Sequence, residues 1–317
     1  MNSSINNFCT ITTNGYLLKC LALYESIDKH TDGNYHLWIC SVDKAAYELL
    51  LKLDLPHITV VHVEKIENKA LIEAKNNRYK NEYCWTIKAS FIKYVLKHNE
   101  AIDSILYVDS DTFLFSEPEV LFDSLKHNDI LLTNHNFTHG FYHLYELKGK
   151  YNAGIVGFKN NKRAFRLLNW WEKNCIKWCY NQVIPNRFAD QKYLETLGDK
   201  YLRTAKNASL GVNTAMWNMQ DRIVMKKGDK TYINNDPLII YHFSSFFIIN
   251  EKEFDLWNCD YTKPDVHITE LIYIPYIKSI MNAIEIVKKI ETDITEFLTD
   301  KYYTGLYYNH FIVSETL

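Results

Sequence analysis

The sequence predicts an α/β chain built around a largely parallel sheet, and three observations carry that expectation. Strand-like and helix-like segments alternate at βαβ spacing through residue 108. The apolar run Ile105-Leu106-Tyr107-Val108 stops at two carboxylates one residue apart, Asp109 and Asp111. Aspartates are avoided inside strands, so the pair marks a strand C-terminus, where open Rossmann-like sheets bind nucleotides and other ligands. Finally, 317 residues with 47% apolar and 15% aromatic side chains suit one large α/β domain, alone or with a smaller appendage.

Residues 7–13 read as a strand, Asn14-Gly15 as a turn, and residues 16–27 as a helix with apolar positions at 17, 18, 21, 23, 24 and 27. Residues 35–40 form a second strand, Asp43 is placed to cap a helix running to about Leu53, and residues 58–63 form a third strand. The polar stretch from there to Asn81 lacks a period and is expected to be irregular. A helix over 85–97 then feeds the strand at 105–108. Beyond Asp111 the expected elements are a short helix at 119–126 and a strand at 130–133. Residues 134–151, with His135, His139 and His143 among aromatics and glycines, read as a long functional loop. Its scattered histidines fit substrate contacts or solvated groups better than metal ligands. A strand at 153–158, a long amphipathic helix at 162–180 and a helix at 188–197 opening on Ala189-Asp190-Gln191 follow. Residues 238–243 are a late strand with His242 near its end, which alone fits a structural histidine. Past Pro264, apolar residues at 277, 280, 284, 287, 294 and 298 mark a helix of about 20 residues with Lys and Glu opposite. Residues 1–263 are therefore expected as the main domain and 264–317 as a C-terminal helical and aromatic extension. The tail from Tyr302-Tyr303 onward docks by default on its own domain, with a partner copy or a membrane surface as alternatives.

A formal net charge of −2 supplies no basic field for nucleic acid. No apolar stretch reaches about 18 residues and no signal-like segment opens the chain, so a cytoplasmic protein, free or peripheral to a membrane, is expected. The seven cysteines lack paired Cys-x-x-Cys spacing, which argues against zinc or a disulfide framework. Cys175 and Cys179 share one expected helical face and read as free buried thiols.

Asp109 and Asp111 repel each other unless something positive lies between them. A divalent cation fits, since hard carboxylate oxygens suit Mg²⁺ or Mn²⁺ and leave room for substrate phosphates. Two other readings stand beside it. Asp-x-Asp at a strand end is also a turn, with Asp109 capping and Asp111 solvated. It also occurs in haloacid-dehalogenase phosphatases, where the first Asp is a nucleophile and Thr or Val follows two beyond the second Asp; Phe113 stands there in this chain.

Four features in order are Asp109-Ser110-Asp111, Asn152-Ala153-Gly154, Phe188-Ala189-Asp190-Gln191 and Tyr241-His242-Phe243. Together, over about residues 5–250, they resemble GT-A glycosyltransferases, above all the retaining enzymes of glycosyltransferase family 8, which include bacterial lipopolysaccharide galactosyltransferases and glycogenin. The resemblance implies a GT-A fold with a C-terminal helical appendage. It implies Mn²⁺, or Mg²⁺, on Asp109, Asp111 and His242, bridging the diphosphate of a UDP-sugar. Asn152, Asp190 and Gln191 would then carry catalysis at the donor sugar, with Ala153 and Ser110 beside them. Trp85 and Lys88, on the preceding helix, would bind the donor, and the first strand end, Thr10, Ile11, Thr12 and Asn14, would face the nucleobase. After His242 the chain reads Phe243-Ser244-Ser245-Phe246-Phe247 where the family usually has Gly and Lys-Pro-Trp.

The implied reaction moves a sugar from a nucleotide-diphosphate donor to the hydroxyl of a glycan or lipid-linked acceptor, with retention, in surface polysaccharide or lipopolysaccharide assembly. Three alternatives remain: an Asp-x-Asp phosphatase, a glycogenin-like primer glycosylating one of its own 23 tyrosines, and a non-catalytic nucleotide-sugar binder.

Overall fold

The computed structural model describes residues 5–298 and 305–314, so Tyr302 and Tyr303 of the aromatic tail lie outside the described residues. The chain opens β1 (Asn6–Thr12), α1 (Leu17–Thr31), β2 (Tyr35–Ser41), α2 (Lys44–Leu53), β3 (Ile58–His62), α3 (Lys69–Lys75), α4 (Lys80–His98), β4 (Ser104–Val108) and β5 (Thr112–Leu114). It continues α5 (Glu119–His127), β6 (Ile130–Asn134), α6 (His143–Lys148), β7 (Tyr151–Lys159), α7 (Lys162–Lys177), α8 (Tyr193–Lys200), β8 (Thr204–Asn207) and β9 (Val212–Thr214). Then come β10 (Val224–Lys227), β11 (Lys230–Ile233), β12 (Asp236–Pro237), β13 (Ile240–His242), β14 (Phe247–Ile248), β15 (Glu253–Asp255), α9 (Val266–Ile268), α10 (Ile274–Lys288) and β16 (His310–Ile312).

Seven strands form the main sheet in the order β3-β2-β1-β4-β7-β6-β8. Only β7 runs against the others, pairing antiparallel with β4 and β6, so the sheet is largely parallel as the alternation predicts. The chain leaves β1 outward through β2 and β3, then returns to β4 on the other side of β1. That reversal opens a crevice beyond the strand C-termini, the place where such sheets bind ligands. Alternation along the strands fills two cores. Phe8, Leu106 and Val108 pack with α1 and α10 on one face, and Cys9, Ile105 and Tyr107 pack with α4 and α7 on the other.

Several local expectations give way to capping that only three dimensions supply. The stretch expected to be irregular holds α3, whose first turn Asn68 caps by accepting from Leu71 N at 3.1 Å, and the start of α4, where Glu82 accepts from Tyr79 N at 3.0 Å. Asp43 stands at the start of α2 without a capping bond of its own. Asn14 caps in its place, accepting from Ala46 N at 2.9 Å, while Asp43 accepts from Asn14 N. The helix expected from 188 begins at Tyr193 because Ala189 is left-handed, φ 46°. The long loop at 134–151 contains α6, and α7 ends at Lys177, leaving Cys179 beyond it though still buried and free. The C-terminal helix is also shorter than the apolar pattern suggests: α10 stops at Lys288, and Ile294 is buried past its end.

A second, three-stranded sheet, β5-β13-β9, was not foreseen beyond its late strand. The residues after Pro264 join the main body: Ile277, Ile280 and Ile284 of α10 enter the core shared with α1. The described part of the tail returns as β16, pairing Phe311 with Phe254 of β15. Asp255, fully buried, locks this return by accepting from the backbone N–H groups of Tyr308 and Asn309 at 3.1 Å, from Trp257 N and from Asn258 Nδ2. Because Asp255→Ala leaves these donors without their shared acceptor, it is expected to lower stability by about 3 kcal/mol in denaturant titrations. A loss of about 1 kcal/mol or less would mean the tail return is not held by this carboxylate.

Candidate active site

The turn from β4 to β5 carries Asp109, Ser110 and Asp111, closed by Thr112 N donating to Asp109 O at 3.0 Å. The turn reading of Asp-x-Asp is thus correct as backbone geometry, yet Asp111 is buried rather than solvated. Pairing of β13 with β5 sets His242 opposite Thr112, and Phe243 N donates to Asp111 O at 2.7 Å. The late histidine is thereby carried to the aspartates. One ligand atom from each of Asp109, Asp111 and His242 lies within 4.8 Å of the others. His242 Nε2 stands 3.2 Å from Asp111 Oδ1 and 3.9 Å from Asp109 Oδ2.

The other ring nitrogen, Nδ1, is 3.3 Å from Asn213 Oδ1. With Nδ1–H donating there, Nε2 presents its lone pair toward the carboxylates, the arrangement typical of metal-ligating histidines. Gly154 makes room beneath the ring: a Cβ there would meet His242 Cε1 and Asn152 Oδ1 at 2.6 Å each. Two carboxylates, one imidazole lone pair and a supported tautomer fit a divalent cation of the Mn²⁺ type.

Beside this cluster lies an ion-paired lysine. Lys88 Nζ, buried, reaches Asp109 Oδ1 at 3.2 Å, Asp190 Oδ2 at 3.0 Å and Ala153 O at 3.0 Å, over the ring of Tyr107. Tyr107 Oη donates to Asp109 Oδ1 at 2.8 Å. Asn152 accepts from Gly154 N through Oδ1 and donates from Nδ2 toward His135 Nε2 at 3.2 Å and Gln191 Oε1 at 3.4 Å. Gln191 Nε2 in turn donates to Lys148 O at 3.0 Å.

Burial would push the Lys88 ammonium down, but Asp109 and Asp190 outweigh it and hold the lysine above its ordinary range. Burial would likewise raise Asp111, yet His242 and Lys19 overcome it and depress the carboxyl to about 2. For His242, burial acts downward and the two aspartates lift the imidazole above its usual value. Asp190 is raised by burial, which Lys88 only partly offsets and Asp109 reinforces. His135 is pushed by burial to about 3 and is neutral, a buried support stacked on Phe137 rather than a solvated loop residue.

The structure therefore brings Lys88, Asp109, Asp111, Asn152, Ala153, Asp190, Gln191 and His242 into one connected site. Thr10, Ile11 and Thr12 are buried at the end of β1, and Thr10 Oγ1 has no hydrogen-bond partner among the described residues. Asn14 is occupied structurally, by Ala46 N and by Glu296, to which its Nδ2 donates at 3.1 Å. Trp85 sits half-buried on α4 against the second core. Tyr107 and Asn213 carry no signal in the sequence, because their roles arise from contacts across elements. Gly154 lies in the Asn152-Ala153-Gly154 segment, and His135 was expected as a substrate contact or solvated group of the long loop, but the support each gives the cluster is set by tertiary packing.

Residues 8–161 match the model of glycosyl transferase family 8. An uncharacterized protein of Bacillus subtilis (strain 168), YfnD, is 32% identical over 299 residues, covering 93% of this chain and 95% of its own. The chain belongs to glycosyl transferase family 8. A second Bacillus subtilis (strain 168) protein, YfnF, is 29% identical over 253 residues, 78% of this chain and 83% of its own. Two solved structures show the same fold. The glycosyltransferase GlyE of Streptococcus pneumoniae TIGR4 has TM-score 0.54 at 13% identity, covering 90% of this chain and 63% of that one. The bifunctional glycosyltransferase WbbM has TM-score 0.56 at 14% identity, covering 91% and 52%. This family 8 member is a glycosyltransferase of GT-A fold.

In this enzyme without metal, the raised His242 stabilises the fold fully below its unfolded value of 6.5, and that contribution is lost as pH rises through the folded value. Asp111, depressed, stays ionised throughout this range. With chelator present, the stability advantage of the wild type over His242→Gln is expected to be larger at about pH 5.5 than at about pH 9. Equal differences by urea unfolding at both values would show that the imidazole is not held charged by the aspartates.

Proposed function

We propose that this glycosyltransferase takes a nucleotide-diphosphate sugar, a UDP-sugar by preference, and transfers the sugar with retention to an acceptor hydroxyl. The observation that carries the reading is the Asp109, Asp111 and His242 cluster at the sheet reversal, directly beside the Lys88–Asp190 pair. These three residues would hold a divalent ion, Mn²⁺ or Mg²⁺, which when bound would supply positive charge to the diphosphate leaving group.

The protein's own groups divide the remaining work. Lys88 adds a fixed positive charge in a water-poor site, where it stabilises developing negative charge without reorganisation. Asn152, Asp190 and Gln191 orient the donor sugar, and Ser110 and Ala153 line it; the end of β1, with Thr10, Ile11 and Thr12, takes the nucleoside. The bond from the anomeric carbon to the diphosphate oxygen breaks as the acceptor oxygen bonds to the same face, and the acceptor proton passes to the departing phosphate. Retention is favoured because each carboxylate in the cluster is already committed: Asp111 contacts His242, and Asp109 and Asp190 contact Lys88. An inverting mechanism needs a free base. In this reading residues 1–263 form the catalytic unit and 264–317 an extension to it. The acceptor is a glycan or lipid-linked glycan of a surface polysaccharide or lipopolysaccharide, by analogy with the fold's users, and the extension is the part that meets a membrane or a second copy.

Asp109→Asn and Asp111→Asn are each expected to abolish transfer and weaken Mn²⁺-dependent donor binding, because each removes a charged ligand. Mn²⁺ titration followed by donor binding is the check, and wild-type metal affinity in both variants would remove the metal-site assignment. Asp190→Asn is expected to lower kcat far more than donor affinity, since its charge matters most as positive charge grows on the sugar. NMR of the product's anomeric proton decides the stereochemistry: an inverted product would require Asp190 or another acid to act as base.

A further inference from the structure

Strand order divides the crevice into two sides. With the nucleoside at the end of β1, the sheet continues past the Asp109–Asp111 turn of β4 to β7 and β6. An acceptor must then approach from the side of the segment that follows β6, residues 135–150, and of the turn at 217–222 that packs on it. That turn begins at Trp217, whose ring stands edge-on to His242 at 5.4 Å. It is fixed by Thr138 N donating to Trp217 O at 3.2 Å and by Gly140 N donating to Gln220 Oε1 at 3.1 Å.

Two cations on this side have no carboxylate within ion-pair distance among the described residues. Lys148, half-buried, holds its Nζ 5.5 Å from the ring centre of Phe188, and its carbonyl accepts from Gln191 Nε2 at 3.0 Å. Burial pushes its pKa below the ordinary lysine range. Arg222, at the end of the 217–222 turn, has a buried Nε without a hydrogen-bond partner among the described residues. The neighbouring acids are engaged elsewhere or exposed. Asp221 faces His139 at 2.8 Å, Glu195 accepts from Lys150 N at 2.9 Å and pairs with Lys192 at 3.7 Å, and Glu146 is exposed.

Tyr145 links the two cations. It precedes Lys148 by one turn of α6, on the same side of the helix, and the charge of Arg222 acts on its hydroxyl. Its ring packs edge-on to Phe137 at 4.9 Å and lies 6.3 Å from that of Tyr142, and both tyrosines are exposed. Exposed rings with polar tips suit the C–H face of a sugar, while an ammonium and a guanidinium without acids suit an oxyanion. We propose that the acceptor is an anionic saccharide, whose carboxylate or phosphate is bound by Lys148 and Arg222 while its sugar ring lies on Tyr145 and Tyr142. This rests on the glycosyltransferase reading and narrows the acceptor class within it. The bound anion supplies the charge that two partly desolvated cations lack in the free protein.

The test measures binding of maltotetraose, tetragalacturonate and 6-phosphomaltotetraose to the full chain with UDP and Mn²⁺, by calorimetry at about 0.15 M salt. At least one anionic tetrasaccharide is expected to bind about tenfold or more tightly than maltotetraose, and which one does so tells carboxylate from phosphate. Lys148→Gln and Arg222→Gln remove charge and no recorded side-chain hydrogen bond. Each is expected to weaken the preferred anionic ligand about fivefold or more while maltotetraose changes less than about twofold, and Lys148→Arg retains most of the affinity. Tyr145→Ala is expected to weaken charged and neutral ligands alike. Overturning results are an absence of preference for either anionic tetrasaccharide, or wild-type affinity for it in both glutamine variants. A loss of UDP binding in step with the tetrasaccharide would also overturn the inference, since it would move these cations to the donor side. A wild type without metal-dependent UDP binding would instead defeat the donor reading on which the inference stands.

Discussion

Charge compensation at the C-terminal edge of β4 is the constraint on which the site depends. Asp109, Asp111 and Asp190 approach one another in a largely buried volume, and among the described residues only Lys88 and His242 contact them with positive charge. Taken without those partners, such carboxylates would protonate or expand the site. The lysine is held by its two carboxylates and by Ala153 O, and the histidine by Asn213. Gly154 is required because any side chain there would occupy the space of the ring.

The two sheets share this constraint. The main sheet delivers Asp109 from β4 and Asn152 from β7, while the small sheet delivers His242 from β13, and the Asp-x-Asp turn is the joint between them. Further contacts fasten the elements around the joint. The tail strand β16 fastens β15, Asp255 fastens Asn258, and Asn258 N fastens the turn after His242 through Ser245 O. At the other end of the crevice, Glu296 accepts from Asn14, which caps α2. The C-terminal segment is thus fastened to the main body through β15 and through Asn14, as well as through the core that α10 shares with α1.

Elements with strong local signals were legible in advance. The strands at β1, β2, β3 and β4 and the helices α1, α2 and α7 carry clear periods of two or 3.6 because each buries one face. Elements with weak signals were not. α3 and the first turn of α4 look polar along the chain, and their stability comes from the Asn68 cap and the Glu82 contact. The start of α8 depends on the left-handed Ala189, a conformation that an alanine does not advertise. Ile294 and Leu298 continue the apolar pattern past Lys288, yet they lie outside α10, so apolar spacing alone overextended that helix.

The sequence by itself determined the sheet's alternation, the strand end at Asp109 and the acidic, amide and histidine side chains that the fold brings together there, because those depend on residue type and near-neighbour spacing. The tertiary structure alone decided that His242 meets Asp109 and Asp111, that Lys88 bridges Asp109 and Asp190, and that Asn213 orients the imidazole. Each of these joins residues distant in the chain through strand register and helix packing, and a side chain's charge state follows from its burial and partners, neither of which local sequence contains.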